Sequence, residues 1–470
     1  MRVEQDFLGQ VQVPSKAYYG IFTVRAAENF KVSETKPSPL FIRMLAAVKK
    51  SCAQANMEVG QLEKNVGNAI LQAAEEVISG MHDKEFILDS YTAGAGTPFN
   101  MNMNEVIANR AEEILGGKKG QYRLVHPNNH VNMSQSSNDV IPTAMRLVFL
   151  SQSKELIAQA LGLRNAIIAK QKQFRRVIKA GRTHLMDAVP LSVGDELSAF
   201  AAALQQDIAQ IRKACVLLGE LPIGGTALGS GINTHPKYKR LAVFYIRKNT
   251  GLPVREGKNL FRLLSLPSDF LYYSCALSGL AVSIYKLSSD LKLLSSGPNT
   301  MVGEYLLPEV EPGSSIMPGK VNPSIPECAE MIAMRFLGLH YSVQLACMAG
   351  QLQLNVHTPL ILKCISESNE LLSACCKMLS EKCISGLRIN QQKIRQHLDS
   401  SLITVTALSP YFGYSKLSQL VKRAQSEGKS IKQAVVEEGL LSEEEFEKIM
   451  APHRLIRPSA PLQLKKKPSN

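Results

Sequence analysis

The 470-residue chain contains no tryptophan, and phenylalanine and tyrosine together make up only 6% of it. Its core must therefore be built from aliphatic side chains. No run of apolar residues approaches the length of about 18 that a membrane-spanning helix needs, so we expect no membrane span. Residues 1–6 are polar and of mixed charge, and we expect no signal peptide there.

Cysteine is present but not in the spacing of a redox or metal motif. The nine cysteines are an odd number, and no two form a Cys-x-x-Cys pair. Most fall inside apolar helical runs, where a free thiol behaves as a small apolar side chain. We therefore expect a reducing compartment and a cytoplasmic protein.

Acidic residues are the scarcer charged class, with 40 against 54 basic residues and a formal net charge of +14. Such an excess is compatible with nucleic acid, a membrane surface or small anions. The basic residues are dispersed, apart from Lys465, Lys466 and Lys467, and do not alternate with aromatic residues as in a nucleic-acid groove. We expect a solvated basic surface, and neither nucleic acid nor a membrane as partner.

Five long segments repeat their apolar residues with helical spacing, and strand-like alternation is scarce. Helices of about 20 to 30 residues exceed the usual length of about 12 and suit extended bundles. We therefore predict an all-α (mainly) fold around a central five-helix bundle. Several segments are apolar on more than one face, which indicates burial against other subunits. The segments are 142–172, 191–218, 271–296, 327–353 and 360–382.

We predict three domains: a mostly helical N-terminal domain (1–138), the long-helix bundle (139–388) and a small C-terminal helical domain (389–470). The first 35 residues lack periodicity and indicate an irregular arm, and a helix opens at about residue 104. Polar loops between the helices are where sites usually form. Those rich in Gly, Pro, Ser, Thr and Asn are 92–100, 126–139, 181–190, 222–234 and 311–326.

The most informative loop is Gly313-Ser-Ser-Ile-Met-Pro-Gly-Lys-Val-Asn-Pro323. Lys320 offers a charge and Asn322 a directional N–H donor, which together suit a carboxylate ligand. A serine near a lysine is a candidate base, because positive charge favours the alkoxide. The alternative interpretation, that this loop only caps the following helix, is equally consistent with the residues.

This loop resembles, residue for residue, the Gly-Ser-Ser-x-Met-Pro-x-Lys-x-Asn-Pro signature of the fumarase/aspartase superfamily. The resemblance implies a three-domain subunit in a homotetramer, whose twenty-helix core takes five long helices from each subunit. It implies active sites built from loops of three subunits, and anti elimination from a small dicarboxylate through an aci-carboxylate intermediate. Supporting motifs extend over nearly the whole chain: Gly94–Thr97, His126–Asn128, Ser134–Asp139, Gly181–His184 and Gly224–Ala227.

The resemblance also implies the role of each site residue. Ser314 is implied as the catalytic base, and His184, oriented by Glu327, faces the leaving group. A proton beside a carboxylate is weakly acidic, so many donors must stabilise the charge that develops. For Thr97 and the loop 136–138, helix N-capping remains the alternative from the residues alone. The implied substrate-binding residues are Lys320, Asn322 and Thr183 at one carboxylate, Thr97, Ser136, Ser137 and Ser315 at the carboxylate that becomes the aci form, and Asn138 at the leaving group.

No cofactor follows from the sequence. His126 and His130 are four residues apart, but a proline intervenes and no glutamate adjoins them, so we expect no metal site. The resemblance implies no organic cofactor. Activation by Mg²⁺, as in some relatives, stays open, although no dedicated metal ligands stand out.

Two reactions of the superfamily compete. Ala95, the stretch 6–30 and the segment Gln351–Val356 are typical of aspartases, which convert L-aspartate to fumarate and ammonia. His184 is typical of class II fumarases, although it also occurs in some aspartases. We expect the aspartase reaction, with fumarate hydration as the alternative and a catalytically silent member as the third interpretation. Met186 and Asp195 depart from the family pattern and leave the range of substrates open.

Overall fold

The computed structural model describes residues 1–463, so the lysines 465–467 lie outside the described part. Within that part the protein is mainly helical, as predicted, and its strands form four two-stranded sheets. The strands are β1 Arg2–Asp6 with β2 Gly9–Val13, β3 Ile178–Thr183 with β4 Met186–Ser192, β5 Glu220–Leu221 with β6 Arg255–Glu256, and β7 Tyr305–Leu306 with β8 Arg388–Ile389. All pairs are antiparallel except β5–β6.

From the N-terminus to the last of the long helices, the helices are α1 Ile21–Asn29, α2 Pro39–Glu58, α3 Lys64–Ile78, α4 Thr97–Ile114, α5 Ser137–Gln173, α6 Val193–Leu218, α7 Tyr238–Thr250, α8 Leu260–Ser265, α9 Ser268–Leu294, α10 Ser324–Met348 and α11 Thr358–Leu379. The C-terminal helices are α12 Gln391–Ser400, α13 Ser409–Phe412, α14 Tyr414–Glu427, α15 Ile431–Glu437, α16 Glu443–Ile449 and α17 Pro452–Leu455. The prediction of five long helices is confirmed by α5, α6, α9, α10 and α11.

Three local predictions were wrong. The first 35 residues are not an irregular arm, because they form β1, β2 and α1. Helix α4 begins at Thr97 rather than near residue 104, since Pro98 lies in its first turn, where a missing N–H is tolerated. Residues 181–190 are not a loop but most of the β3–β4 hairpin. Gly181 marks a β-bulge there, and a Cβ at this position would lie 2.4 Å from the carbonyl oxygen of Val189.

The chain divides into two compact units, each made of three segments. Unit one comprises 1–159, 207–282 and 332–374, and unit two comprises 160–206, 283–331 and 375–470. Every division point lies within one of the five long helices. Unit two includes a C-terminal apolar core, in which Leu408, Ala424 and Val435 are fully buried. The predicted three-domain boundaries stay a prediction.

In the described part of the chain, α9 is one helix long and apolar enough to cross a membrane by length and composition. Core helices of soluble proteins pass the same test. Near its start, Asp269 is buried and its Oδ2 accepts a hydrogen bond at 2.8 Å from Nη2 of the fully buried Arg146. A buried ion pair of this kind is typical of a protein core.

Candidate active site

The loop between β7 and α10 holds Ser314 by its own backbone. The Oγ atom of Ser314 accepts hydrogen bonds from the amide groups of Ile316, at 3.2 Å, and Met317, at 3.0 Å. The amide of Gly313 donates to the carbonyl of Lys320 at 2.8 Å, which closes the loop. Donors around an oxygen favour its charged form, so this backbone supports removal of the Ser314 proton.

The second half of the loop carries the groups suited to a carboxylate. One Nδ2–H of Asn322 donates to the carbonyl of Gly313 at 2.7 Å, which leaves the second N–H of this amide for a ligand. Ser315 and Lys320 are exposed, as is Glu327 in the first turn of α10. The loop therefore presents a cation, an amide and hydroxyl groups to solvent.

Thr183 and His184 lie at the tip of the β3–β4 hairpin. Thr183 pairs with Met186, which leaves His184 and Leu185 as the two turn residues. Their φ angles are 55° and 61°, as in a type I′ turn, whose twist matches that of the strands. A leucine rarely adopts a positive φ, so the tip is locally strained, as functional segments often are. All four of these residues are exposed.

An ion cluster fixes this hairpin immediately before Thr183. Arg182 Nη2 donates to Oε1 of the fully buried Glu304 at 2.7 Å, and Nδ1 of His397 lies 2.8 Å from the same oxygen. Lys179 Nζ lies 2.9 Å from Oε2 of Glu304. Successive side chains of a strand point to opposite faces. Arg182, held toward Glu304, therefore turns Thr183 to the other face.

The pKa of Glu304 reports the strength of this cluster. Burial alone would raise the pKa, but the hydrogen bond from Arg182 and the charge of Lys179 outweigh it, and the pKa lies below its ordinary value. A carboxylate with a lowered pKa contributes stability above its unfolded pKa and loses it as the pH falls through its folded pKa. The cluster is therefore a stabilising contact that acid weakens.

We expect Glu304→Gln to lower the free energy of unfolding at pH 7 by about 2 kcal/mol, because Arg182 loses its carboxylate partner and the buried Lys179 keeps only Glu196, at 2.9 Å. The difference from the wild type should be smaller at about pH 3, because the stability that this carboxylate contributes begins to be lost below the ordinary pKa of a glutamate, about 4.3. Urea unfolding at both pH values measures this, with the exposed Glu309→Gln as control. A stability difference that stays the same at both pH values would contradict the assignment.

Thr97 is the first residue of α4, directly after the 3₁₀ turn Gly94–Gly96. Gly96 is the N-cap and no side chain caps this helix, so the alternative interpretation of Thr97 as a capping residue was wrong. Gly96 has a φ of +69°, and a Cβ there would lie 3.0 Å from Ile141 of α5. Only glycine allows this close approach, which brings Thr97 next to the beginning of α5.

The loop 134–138 leads into α5. Ser136 Oγ accepts from the amide of Asn138 at 3.2 Å, and the amide of Ser136 donates to Asp139 Oδ1 at 2.9 Å. These are the contacts of a helix N-cap, so the alternative interpretation is confirmed for Ser136. A capping hydroxyl at a helix N-terminus still lies where the helix dipole favours an anion.

The remaining residues of this loop are tied to neighbouring elements. Ser137 Oγ accepts from Asn100 Nδ2 of α4 at 3.0 Å. Asn138 Nδ2 donates to the carbonyl of Ala227 at 2.7 Å. Unit one thus brings Thr97 and the residues 136–138 together at the adjoining N-terminal ends of α4 and α5.

A buried lysine contacts the base of this loop, and the sequence analysis missed it. Lys49 of α2 is fully buried, and its Nζ donates to Asn132 Oδ1 at 3.0 Å and to Gln135 Oε1 at 2.8 Å. Burial lowers its pKa to about 7. At neutral pH only part of the molecules therefore carry the ammonium, and the two hydrogen bonds tie α2 to residues 132 and 135. The signal was available, because position 49 lies four residues after Leu45 in the buried stripe of α2.

Asp139 is the buried counterpart of this lysine. It is fully buried, and its Oδ2 accepts from the amides of Gly224 and Thr226 at 3.1 and 2.9 Å. Burial raises its pKa to about 7, against the lowering effect of these hydrogen bonds. Asp139 thus joins the loop 134–138 to the glycine-rich loop 222–234.

The two histidines that suggested a metal bond to backbone instead. His126 Nδ1 accepts from the amides of Asn128 and Asn129, at 3.1 and 3.3 Å, and His130 Nδ1 accepts from the amide of His126 at 2.9 Å. Between residues 1 and 463, no group of three or more His, Cys, Asp or Glu side chains could hold a metal ion. Which residues bind substrate stays a prediction, as do their individual roles.

The family of the chain follows from comparison with known proteins. Residues 9–338 match a family model described as Lyase, and residues 404–457 match one described as Fumarase C C-terminus. The chain is 44% identical to an aspartate ammonia-lyase of Pseudomonas canavaninivorans over 460 residues, or 97% of each protein. It is 42% identical to a class II fumarate hydratase of Thermus thermophilus over 460 residues, 97% of this chain and 98% of that one.

A solved structure supports the same family assignment. The crystal structure of a fumarate lyase:delta crystallin from Brucella melitensis bound to cobalt has a TM-score of 0.94 and 40% identity, covering 97% of this chain and 100% of that one. The long-helix fold and the matched family thus define a lyase. The chain belongs to the fumarase/aspartase superfamily, the family that its signature loop indicated.

Proposed function

We propose that this lyase converts L-aspartate reversibly to fumarate and ammonia, with Ser314 as the base. The observation that carries the elimination chemistry is the pair of amide donors on Ser314 Oγ, at 3.0 and 3.2 Å. An unassisted serine hydroxyl is a weak base at neutral pH. Two aligned N–H groups stabilise its alkoxide, which can then accept a proton from carbon.

In the proposed reaction, Ser314 Oγ removes the proton from the carbon next to one substrate carboxylate. The electron pair of the broken C–H bond moves into that carboxylate and gives the aci form. Thr97, Ser136, Ser137 and Ser315 stabilise the added charge by hydrogen bonds that strengthen as it develops. The pair then returns to form the C=C bond of fumarate while the C–N bond breaks and the amine leaves.

The other residues position the substrate. Lys320, Asn322 and Thr183 bind the second carboxylate, for which a charge and directional donors are suited. Asn138 and His184 face the amine, and Glu327 orients His184. No organic cofactor is needed, since all charge in this scheme is stabilised by the protein's own donors.

Two segments that resemble those of aspartases favour ammonia elimination over hydration. These two segments contact each other. Ala95 is aspartase-like, and so is the segment 351–356 that ends at Val356. The amide of Ala95 donates to the carbonyl of Val356 at 2.8 Å, and the φ of Ala95 is +57°. A Cβ at Gly94 would lie 2.7 Å from the Cβ of Val356. The two segments therefore form one closely packed corner beside Thr97.

Hydration of fumarate to malate is the second candidate. His184 favours it, and the class II fumarate hydratases match the chain as fully as the ammonia-lyases do. Purified protein offered L-aspartate and L-malate in parallel, with fumarate followed by its ultraviolet absorbance, separates the two. Activity on aspartate supports the proposal, and activity on malate alone would replace it by the second candidate.

We also propose the homotetramer that the family resemblance implies, and an exposed apolar stripe on α10 supports a subunit interface. Its members recur every three or four residues and are 41–76% exposed in the single chain. A continuous apolar stripe on a long helix is typical of a subunit interface. At the hairpin tip, Leu185 and Met186 are 75% and 70% exposed. The stripe consists of Met331, Met334, Leu337, Tyr341, Leu345 and Met348.

We expect Leu337→Glu to dissociate the tetramer, because it places a charge in the middle of this stripe. The mass measured by light scattering should fall from four times the chain mass of 51.6 kDa to a smaller multiple. Lyase activity should fall with it, since each active site needs three subunits. Val436→Glu, an exposed apolar residue on α15, is the control. A fully active monomer would refute the composite site.

A further inference from the structure

A cavity in unit one lies between the beginning of α2 and the first half of α11, and its lining contains none of the residues assigned to the predicted site. Its lining includes Ser38, the N-cap of α2, and Lys363, Ser366 and Glu370 on one face of α11. Phe99, which is only 4% exposed, contributes an apolar wall. None of these five residues has a role in the proposed elimination.

One side chain of the lining lacks the hydrogen bond that its burial requires. Ser366 is 8% exposed, and within the described part of the chain its Oγ has no hydrogen-bond partner. A buried hydroxyl without a partner is unfavourable, because it has lost its hydrogen bonds to water and gained none in return. Rotation of the Ser366 side chain toward the cavity would let a polar group bound there supply the missing hydrogen bond.

The positive end of the cavity is open to an anion. Lys363 Nζ donates to Thr35 Oγ1 at 3.3 Å and lies 5.7 Å from the centre of the Tyr91 ring. Lys36 is a second, exposed lysine of the lining. Ser38 Oγ accepts from the amide of Phe41, so this end also lies at the positive end of a 20-residue helix dipole.

The negative end is formed by one carboxylate. Glu370 is exposed and accepts from Gln152 Nε2 at 3.2 Å, a neutral partner that leaves its charge uncompensated. Glu367 also lines the cavity, but Arg335 pairs with it at 2.8 Å. The lining therefore offers lysine charge at one end and the charge of Glu370 at the other.

The spacing of these charges suits a zwitterion. Lys363 and Glu370 are seven residues apart on α11, which corresponds to a rise of about 10 Å. Seven residues are about two turns, so both side chains leave α11 on the same face. Both are long enough to turn toward each other across the cavity, so their charges can flank an ammonium and a carboxylate carried by one carbon. Phe99 and Leu362 of the lining are apolar contacts for a side chain on that carbon.

We infer that this cavity is a binding site for an α-amino acid with an apolar side chain. The carboxylate binds Lys363 and Lys36, the ammonium binds Glu370, and Ser366 completes the recognition of the polar end. Such a ligand lacks the second carboxylate that the proposed elimination requires. The inference is therefore independent of the proposed reaction, and its failure would leave that proposal intact.

Isothermal titration of the wild-type protein with L-leucine and L-phenylalanine tests the site. We expect saturable binding of at least one of them, unaffected by saturating fumarate. Isocaproate, which lacks the ammonium, and isopentylamine, which lacks the carboxylate, should bind at least tenfold more weakly. Absence of binding by both amino acids, displacement by fumarate, or equal binding of either analogue would overturn the inference.

Variants locate the binding. Lys363→Met and Glu370→Gln should each weaken binding of the amino acid at least tenfold, because each removes one charged contact. Lys377→Met, an exposed lysine of the same helix, should leave binding unchanged. Thermal melting checks that all three variants fold. Wild-type affinity in folded Lys363→Met would place the ligand elsewhere and refute the site.

Discussion

Ser314→Ala should leave the fold and the assembly unchanged and lower turnover of L-aspartate by a factor of several hundred or more. A positioned proton-transfer group typically contributes about 10²–10⁴ in rate. Alanine removes the one oxygen on which the amides of Ile316 and Met317 converge. No neighbouring group takes over, because Ser315 lacks these two donors in the structure as described. Steady-state kinetics with aspartate, followed by fumarate absorbance, measures the loss.

Binding separates the loss of a base from the loss of the site. Fumarate should bind the Ser314→Ala variant within a few-fold of the wild type, as titration calorimetry would show, because the carboxylate-binding residues remain. Ser385→Ala, an exposed serine of the same unit, should keep full activity. Turnover near the wild-type rate in Ser314→Ala would remove this residue as the base.

The fold was predictable where an element follows from a local sequence pattern. It was missed where an element depends on residues that are distant in sequence. The long helices follow from apolar periodicity alone. Helix α1 does not follow from periodicity, because the amide groups at its beginning donate hydrogen bonds to a residue more than 80 positions away. The amides of Gly20, Phe22 and Thr23 donate to the buried carboxylate of Glu105 at 2.8–3.1 Å. Such a cap cannot be recognised from the residues around residue 20.

The same distinction holds for the site. The signature loop and the motifs around Thr97, Ser136 and His184 are short enough to be seen in sequence. The residues that hold them in place are not. Glu304 lies 122 residues from the Arg182 that it binds, and Lys49 lies 86 residues from Gln135. Nothing near either residue indicates its partner, although a lysine within an apolar helical stripe was a detectable anomaly.

The type of turn at the hairpin tip was also not predictable from the sequence. Two-residue type I′ turns usually contain asparagine or glycine, whereas this one contains His184 and Leu185. The sequence therefore favoured a loop. The structure indicates why the unusual residues are tolerated: the ion cluster at Arg182 and Glu304 holds the strands in register. The strained tip presents an imidazole that glycine could not supply.

Lys320→Met should raise the KM for aspartate by about ten- to a hundredfold and lower kcat as well. A hydrogen bond to a charged group contributes about 1.5–3 kcal/mol, and each 1.4 kcal/mol is about a factor of ten. Methionine keeps the length and the apolar stem of the side chain, so the loop closed by Gly313 N–H and the Lys320 carbonyl should persist. In the wild type the Lys320 charge also stabilises the dianionic intermediate, so its loss lowers kcat as well.

Matched variants make this expectation specific to the charge at position 320. Lys422→Met, an exposed lysine of the same unit, should leave both constants unchanged. Lys320→Arg should recover only part of the activity, since a guanidinium is planar and bulkier than an ammonium. Asn322→Ala should raise KM less than Lys320→Met, because it removes a neutral donor rather than a charge. Unchanged kinetic constants in Lys320→Met would exclude this lysine from carboxylate binding.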